Sequence, residues 1–223
     1  MKFTKSDSAY APLVLIALNN GEGVRIENGA MVYHNGKVKL QGKTNGGVLG
    51  GLAKKAFTGE SFFVTTAIGQ EDGAEIAIAP GTVGDIAEIN VGETNWFLND
   101  GAFLACDQGV EITTKSQGLG KAVFGGTGGL FIMQASGQGS LLVNGFGKLS
   151  VIDVTAGNDF ICDNTHAIAW TGTLEYAIEA ASGKIGFTSG EGFVNRFRGN
   201  GKVIIQSRSV RGFAQLIAKY IAK

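Results

Sequence analysis

The chain has 223 residues, and its 19 basic and 19 acidic residues leave no formal net charge, which excludes a general electrostatic attraction to nucleic acids or membranes. The 36 glycines have no three-residue period, which excludes a collagen-like chain. They separate short apolar runs instead, as the many tight turns of a β-rich fold require.

The chain opens with Lys2, Lys5 and an apolar run that superficially resembles a signal peptide. Asp7, Pro12 and the lack of a small-x-small cleavage site argue against a signal peptide. We predict a first strand at Leu13–Leu18, followed by the turn sequence NNGEG. No apolar run approaches the roughly 18 residues of a membrane span, so we predict no transmembrane segment.

One sequence phrase then occurs three times, as ENGAMVYHNGKVKLQGK from Glu27, NDGAFLACDQGVEITTK from Asn99 and DNTHAIAWTGTLEYAIE from Asp163. Each copy places an apolar run and a Gly-centred turn before an alternating tail. A second phrase follows each copy and places a lysine three residues before a phenylalanine. These pairs are Lys54 and Phe57, Lys121 and Phe124, and Lys184 and Phe187.

The repeat has a period of about 65 residues, which is too long for the common helical solenoids. We therefore predict an all-β fold of three similar β-modules in a pseudo-threefold arrangement with a C-terminal α-helix. We expect the chain to form a single compact unit, with modules at about 13–90, 91–154 and 155–208 and the helix at 209–223. The three apolar runs should occupy equivalent strands, and the three phenylalanines should be buried at equivalent positions.

The helix is predicted from the segment SVRGFAQLIAKYIAK, with Ser209 as its N-cap. Its apolar residues recur with the spacing of one helix face. These residues are Phe213, Leu216, Ile217, Tyr220 and Ile221. We expect this face to cover the β-core, and contact with a membrane or a partner is the alternative.

Five stretches, in order from about Leu13 to Arg208, resemble the altered-inheritance-of-mitochondria 24 family. They are GGVLGGLAKKAFTGESFF, PGTVGDI, GAFLACDQGVEI, SGEGF and VIIQSR. The resemblance implies an all-β fold similar to the tryptophan RNA-binding attenuator protein, and it offers no catalytic motif. Fungal members are linked to mitochondrial inner-membrane organisation, whereas bacterial members have no settled activity.

The residues themselves predict neither catalysis nor a cofactor. His34, His166, Cys106 and Cys162 lack the spacing of metal ligands, so we predict no metal site. The two cysteines form no disulfide framework, and we expect buried free thiols in a reducing compartment. No nucleophile elbow or complete phosphate loop is present. The carboxylates Glu60 and Glu191 would lie in different modules and would not converge, so they are expected to accept turn hydrogen bonds.

The charges are segregated along the chain. Residues 56–114 contain ten acids and no lysine or arginine, and residues 184–223 contain eight bases and one acid. The two segments either neutralise one another or form separate patches. For the second case we predict that the basic patch contacts an anionic membrane surface and that charge reversal of two of its arginines abolishes vesicle binding. The predicted anion-contacting residues are Lys184, Arg196, Arg198 and Lys202.

Together these features predict a non-enzymatic scaffold or interaction protein. We expect it to be a homo-oligomer, peripheral to a membrane, and cytoplasmic or otherwise intracellular. The alternative is a module that binds a small ligand or a nucleic acid. The segment NRFRGNGK has the basic and aromatic residues that RNA binding uses, but strand alternation places Phe197 opposite Arg196 and Arg198, which disfavours RNA binding.

Overall fold

The computed structural model describes residues 2–8, 10–44, 63–116, 131–181 and 193–221. Across these ranges the chain forms β-strands in four sheets and a helix near its C-terminus. The predicted all-β class with a C-terminal helix is therefore confirmed. Phe57, Phe124 and Phe187 lie outside the described residues, as do the three lysines that precede them.

The first third of the chain contributes β1 (Lys2–Lys5), β2 (Val14–Leu18), β3 (Gly23–Glu27), β4 (Met31–His34), β5 (Val38–Thr44), β6 (Phe63–Gly69) and β7 (Ala74–Ile78). The second contributes β8 (Ile86–Val91), β9 (Trp96–Leu98), β10 (Phe103–Asp107), β11 (Val110–Ser116), β12 (Phe131–Gly137) and β13 (Gly139–Asn144). The last contributes β14 (Leu149–Val154), β15 (Phe160–Asp163), β16 (Ala167–Thr171), β17 (Glu175–Ala180), β18 (Phe193–Arg198), β19 (Gly201–Gln206) and helix α1 (Val210–Ile221).

The strand predicted at Leu13–Leu18 is present as β2. Val14, Ile16 and Leu18 are buried and the residues between them are more exposed, because successive side chains of a strand point to opposite faces. The apolar run of this segment therefore fills one face of a sheet.

The strands are joined in four sheets. Sheet 1 has the order β1-β2-β7-β4, sheet 2 β5-β6-β3-β10-β13-β8, sheet 3 β11-β12-β9-β16-β19-β14, and sheet 4 β15-β18-β17. All the ladders between these strands are antiparallel among the described residues. Sheets 2 and 3 each combine strands from two successive thirds of the chain.

The strand pairing repeats along the chain. The strands that contain the three apolar runs are β4, β10 and β16, and they pair with β7, β13 and β19 respectively. Each of these ladders has a register shift at the same step, after Met31, Phe103 and Ala167. The packing of three modules around a common axis, and the boundaries of the modules, stay predictions.

The turn before β4 and β10 explains the repeated start of the phrase. Gly29 and Gly101 have φ angles of 84° and 72°, which side chains with a Cβ rarely adopt. The third copy has Thr165 in this turn, and its backbone N–H donates to Asp163 Oδ1 at 2.7 Å. The Asx-type hydrogen bond stabilises this turn without a glycine.

The core of the last third is aromatic. Phe197 is fully buried on β18, and its ring lies 5.5 Å from that of Trp170 and 6.3 Å from that of Phe160, measured between centroids. Tyr176 packs against the same group in a tilted arrangement, with its ring centroid 4.9 Å from that of Trp170. This cluster holds β15, β16, β17 and β18 together across two sheets.

Candidate interaction surfaces

The predicted basic patch lies mainly on β18. Arg196 and Arg198 project from one face of this strand while Phe197 is buried on the other, as the alternation predicted. Asp159 lies between the two arginines, with its Oδ2 2.9 Å from Arg196 Nη1 and 3.0 Å from Arg198 Nε. Arg196 Nε also donates to Glu179 on β17 at 3.0 Å.

These contacts neutralise the arginines within the chain. Hydrogen bonds from Arg198 and Arg196 hold the pKa of Asp159 below its usual value. The carboxylates of Asp159 and Glu179 raise the pKa of Arg196. Lys202 on β19 is paired in the same way with Asp153 on β14. Lys184 lies outside the described residues.

The described cations of the predicted basic patch are therefore paired with carboxylates from the last third of the chain. The carboxylates that pair with the predicted patch are Asp153, Asp159 and Glu179, and none belongs to the acidic segment 56–114. Acids of that segment pair elsewhere: Asp85 lies 3.0 Å from Lys5 and Glu71 lies 3.5 Å from Lys37. These ion pairs do not connect the acidic segment with the basic segment. An external anion would have to compete with the carboxylates that already pair with Arg196 and Arg198.

Because the two arginines are paired within the fold, reversal of their charge should reduce stability. We expect Arg196→Glu with Arg198→Glu to lower the urea concentration at the unfolding midpoint, since it replaces partly exposed ion pairs with like-charge contacts. Urea unfolding measures this change. Reversal of the exposed Lys39 and Lys115 alters the net charge equally and serves as the control. An equal loss in both double variants would contradict a structural role for the arginines.

The histidines and cysteines have ordinary partners. His166 Nδ1 is 2.7 Å from the carbonyl oxygen of Gln206, and His34 Nδ1 accepts a hydrogen bond from the Gly36 N–H at 3.1 Å. Cys106 and Cys162 are free thiols, and burial raises the pKa of each to about 12. Both thiols are therefore protonated at neutral pH and react slowly as nucleophiles. Glu60 and Glu191 lie outside the described residues.

Helix α1 begins as the sequence predicts. The Gly212 N–H donates to Ser209 Oγ at 3.1 Å, which confirms Ser209 as the N-cap. Phe213 contacts the β-body through Phe146, with the two ring centroids 5.4 Å apart. This contact and the short connection after β19 place the first turn of the helix beside the turn that follows β13.

The apolar face of α1 does not cover the β-core, so that prediction is wrong. No residue of the helix is buried, and the six large apolar side chains are between 39% and 75% exposed. They are Val210, Phe213, Leu216, Ile217, Tyr220 and Ile221. The physical reason is that side chains of the strands and their connecting turns form the three apolar clusters of the core, and none of the clusters includes a residue of α1.

The polar side of α1 is cationic. Arg211 and Lys219 lie there, and the segment Val210–Ile221 contains no acidic residue. A helix with a broad apolar stripe and a basic polar side is typical of segments that lie in a membrane interface. Over the described part of the chain, no helix has both the length and the apolar character needed to cross a membrane.

The fold and these surfaces define an all-β protein of several sheets that carries an exposed amphipathic helix at its C-terminus. The chain belongs to the family described as Mitochondrial biogenesis AIM24, which matches residues 3–208. This confirms the family resemblance noted in the sequence. The similarity to the attenuator protein that the resemblance implies stays an expectation.

Two streptococcal proteins show the extent of the similarity. An uncharacterized protein of Streptococcus pyogenes serotype M6 is 40% identical over 228 residues, which cover 99% of this chain and 91% of that protein. An X-ray crystal structure of a protein from Streptococcus pyogenes is similar with a TM-score of 0.83 and 37% identity, over 99% of both chains. The similarity therefore includes the segment of α1, which follows the family match.

Proposed function

We propose that the protein is a non-enzymatic scaffold that works at an anionic membrane surface, and that α1 is the element that contacts the lipid. The observation that carries this proposal is an amphipathic helix whose apolar side chains are exposed and whose charges are all positive. The bilayer interface is the partner that matches both properties, because it accepts apolar side chains and attracts cations.

The energetics support an interfacial helix. Burial of an exposed leucine or isoleucine in an apolar environment contributes about 1.5–3 kcal/mol when it is complete, and Leu216 and Ile217 are 49% and 39% exposed. Each lysine or arginine near an anionic surface adds about 1 kcal/mol at moderate ionic strength. The apolar term supplies most of the attraction, and Arg211 and Lys219 select anionic lipid.

The cations of the β-body contribute less to this surface. Arg196, Arg198 and Lys202 already have carboxylate partners, so an anionic lipid would have to compete with them. Arg211 and Lys219 stand on a helix without acidic residues. The membrane contact that the sequence assigned to the strand arginines is accordingly assigned to the helix.

Vesicle sedimentation tests the apolar contribution. We expect Leu216→Gln with Ile217→Gln to weaken binding to vesicles that contain phosphatidylglycerol by about tenfold or more, because two interfacial apolar contacts are lost. Val83→Gln with Val151→Gln is the matched control, since both valines are exposed on the β-body. The control should bind like the unmodified chain.

The same assay tests the charge contribution. We expect Arg211→Gln with Lys219→Gln to weaken binding to anionic vesicles by about tenfold, and to have little effect on the weak binding to phosphatidylcholine vesicles. Lys39→Gln with Lys115→Gln is the control for net charge. Equal weakening in the control, or binding that persists after removal of residues 209–223, would contradict the proposal. A loss of self-association in the α1 variants, with vesicle binding unchanged, would assign the helix to contact between copies instead.

A further inference from the structure

The junctions between successive thirds of the chain follow one rule. Strand β3 pairs with β10 to complete sheet 2, and β9 pairs with β16 to complete sheet 3. The next pair in this series is β15 with β4. No ladder within the described ranges joins these two strands, and each is the edge of its own sheet.

The missing junction leaves apolar side chains in solvent. Phe103–Ala105 of β10 are at most 1% exposed, because β3 and β13 flank that strand. The equivalent residues Met31–Tyr33 of β4 are between 38% and 54% exposed. On β15, Ile161 is 45% exposed. Strands β4 and β15 thus resemble the two halves of a junction that have not been brought together.

Charge distinguishes these two edges from the other six. Edge strands that stay unpaired commonly carry charged side chains, which oppose pairing with another chain. Each of the other edge strands has at least one lysine or acidic residue: Lys2 and Lys5 on β1, Lys39 on β5, Glu88 on β8, Glu111 and Lys115 on β11, Asp153 on β14, and Glu175 and Glu179 on β17. Strand β4 has none, and β15 has only its last residue, Asp163.

We propose that β4 and β15 are docking edges for a second copy of this chain, with β15 of one copy adding antiparallel to β4 of the next. The continuity with the two junctions inside the chain identifies this occupant: a strand equivalent to β10 and β16 pairs with one equivalent to β3 and β9. Among the described residues of a single copy, no ladder joins the two edges. A head-to-tail contact of this kind closes into a ring or extends into a chain of copies.

The existing junctions also predict the register. Ala105 lies opposite Ile26 and Cys106 opposite Arg25, while Ala169 lies opposite Leu98 and Trp170 opposite Phe97. Transferred to the open edges, the same register places Tyr33 opposite Cys162 and His34 opposite Ile161. The expected contact is therefore defined to the residue.

Disulfide formation between two single variants tests the contact and its register. We mix a His34→Cys chain with an Ile161→Cys chain and oxidise both, because directly opposed strand residues have the Cα separation that a disulfide needs. The mixture should give at least about fivefold more covalent dimer than either variant alone. The native Cys106 and Cys162 compete little, since burial raises the pKa of both thiols to about 12 and leaves them far less thiolate than an exposed cysteine has.

The controls separate the alternatives. A Val32→Cys chain mixed with the Ile161→Cys chain is out of register by two residues and should give little dimer. A chain that carries both His34→Cys and Ile161→Cys reports closure within one copy. If that chain forms only an internal disulfide and the mixture forms none, the two edges belong to one copy and the proposal is wrong. Absence of any disulfide in the mixture, or equal yields in and out of register, also overturns it.

Light scattering provides a second measurement without cysteines. The unmodified chain should show a mass of at least two copies that rises with concentration, and Ile161→Lys should return it to one copy. Val151→Lys on β14 is the control, because that valine is also exposed on an edge strand. A single-copy mass for the unmodified chain at all concentrations, or equal effects of both lysines, would overturn the proposal.

Discussion

Replacing Phe197 with alanine is expected to lower the free energy of unfolding by about 3–5 kcal/mol. The ring is fully buried and contacts Trp170, Phe160 and Tyr176, which come from three other strands. Alanine would remove the apolar transfer contribution and leave a cavity that these rigid rings cannot fill without leaving their rotamers. The effect should therefore exceed that of an average core substitution.

Urea unfolding followed by tryptophan fluorescence measures this loss, since Trp170 reports on the cluster directly. Phe213→Ala is the matched control, because Phe213 is half exposed on α1 and contacts the body through one ring. The control should lose less than about 1 kcal/mol. Similar losses in the two variants would mean that the aromatic cluster does not hold the last third of the chain together.

The repeated phrase could be predicted because its signals are local. The glycines at positions 29 and 101 mark turns with positive φ, and the apolar runs after them form β4 and β10. A strand was predicted where β2 lies, and alternation along β18 correctly indicated that Phe197 is buried opposite Arg196 and Arg198. These features depend on backbone sterics and on the period of a strand, both of which a short stretch of sequence contains.

The pairing of β3 with β10 and of β9 with β16 could not be predicted in the same way. A period of two residues indicates which face of a strand is buried but does not identify the neighbouring strand. The amphipathic pattern of α1 likewise shows which face of the helix is apolar but does not identify what that face contacts. It correctly indicated a helix with one apolar face, yet the assignment of that face to the β-core was wrong, since the core clusters contain no residue of the helix.

Counting charges along the chain also failed to identify the partners of the basic residues. Asp159 lies 37 residues from Arg196 in sequence, and the fold places it between Arg196 and Arg198 on an adjacent strand end. Ion pairs form between side chains that the sheets bring within a few ångströms, whereas segment charges average over many residues. The helix charges of Arg211 and Lys219 could be predicted to remain on one side, because their spacing is local.

One position of the repeated phrase carries a polar side chain in all three copies. Glu27, Asn99 and Asp163 are equivalent, and the backbone carbonyl of each accepts a hydrogen bond from the residue three positions later. At the β9–β16 junction, Asn99 Nδ2 donates to the carbonyl oxygen of Ala167 at 2.6 Å. At the β3–β10 junction the residue is Glu27, and burial, with a smaller contribution from the negative charge of Asp100, raises its pKa to about 7.

Because the pKa of Glu27 is raised, ionisation of this carboxyl destabilises the fold, and the loss depends on pH. The folded state keeps a proton that the unfolded chain releases near the usual value of 4.5, so the free energy of unfolding falls as the pH rises from 4.5 to about 7. Above that range the penalty is constant. Glutamine has nearly the same shape as glutamate and carries no charge. The equivalent residue at the other junction, Asn99, is likewise a neutral amide. We expect Glu27→Gln to stabilise the fold by about 2 kcal/mol at alkaline pH, with allowance for solvent screening, and to change it little in acid.

Urea unfolding at about pH 4 and about pH 8 tests this expectation, because the two conditions lie on either side of the titration. Glu111→Gln on β11 is the matched control, since it removes the same charge from an exposed side chain and should change stability little. A gain for Glu27→Gln that is the same in acid and alkali would contradict the argument, because a buried charge costs nothing while the carboxyl is protonated. A loss at alkaline pH would mean that the ionised carboxylate has a favourable partner at the junction.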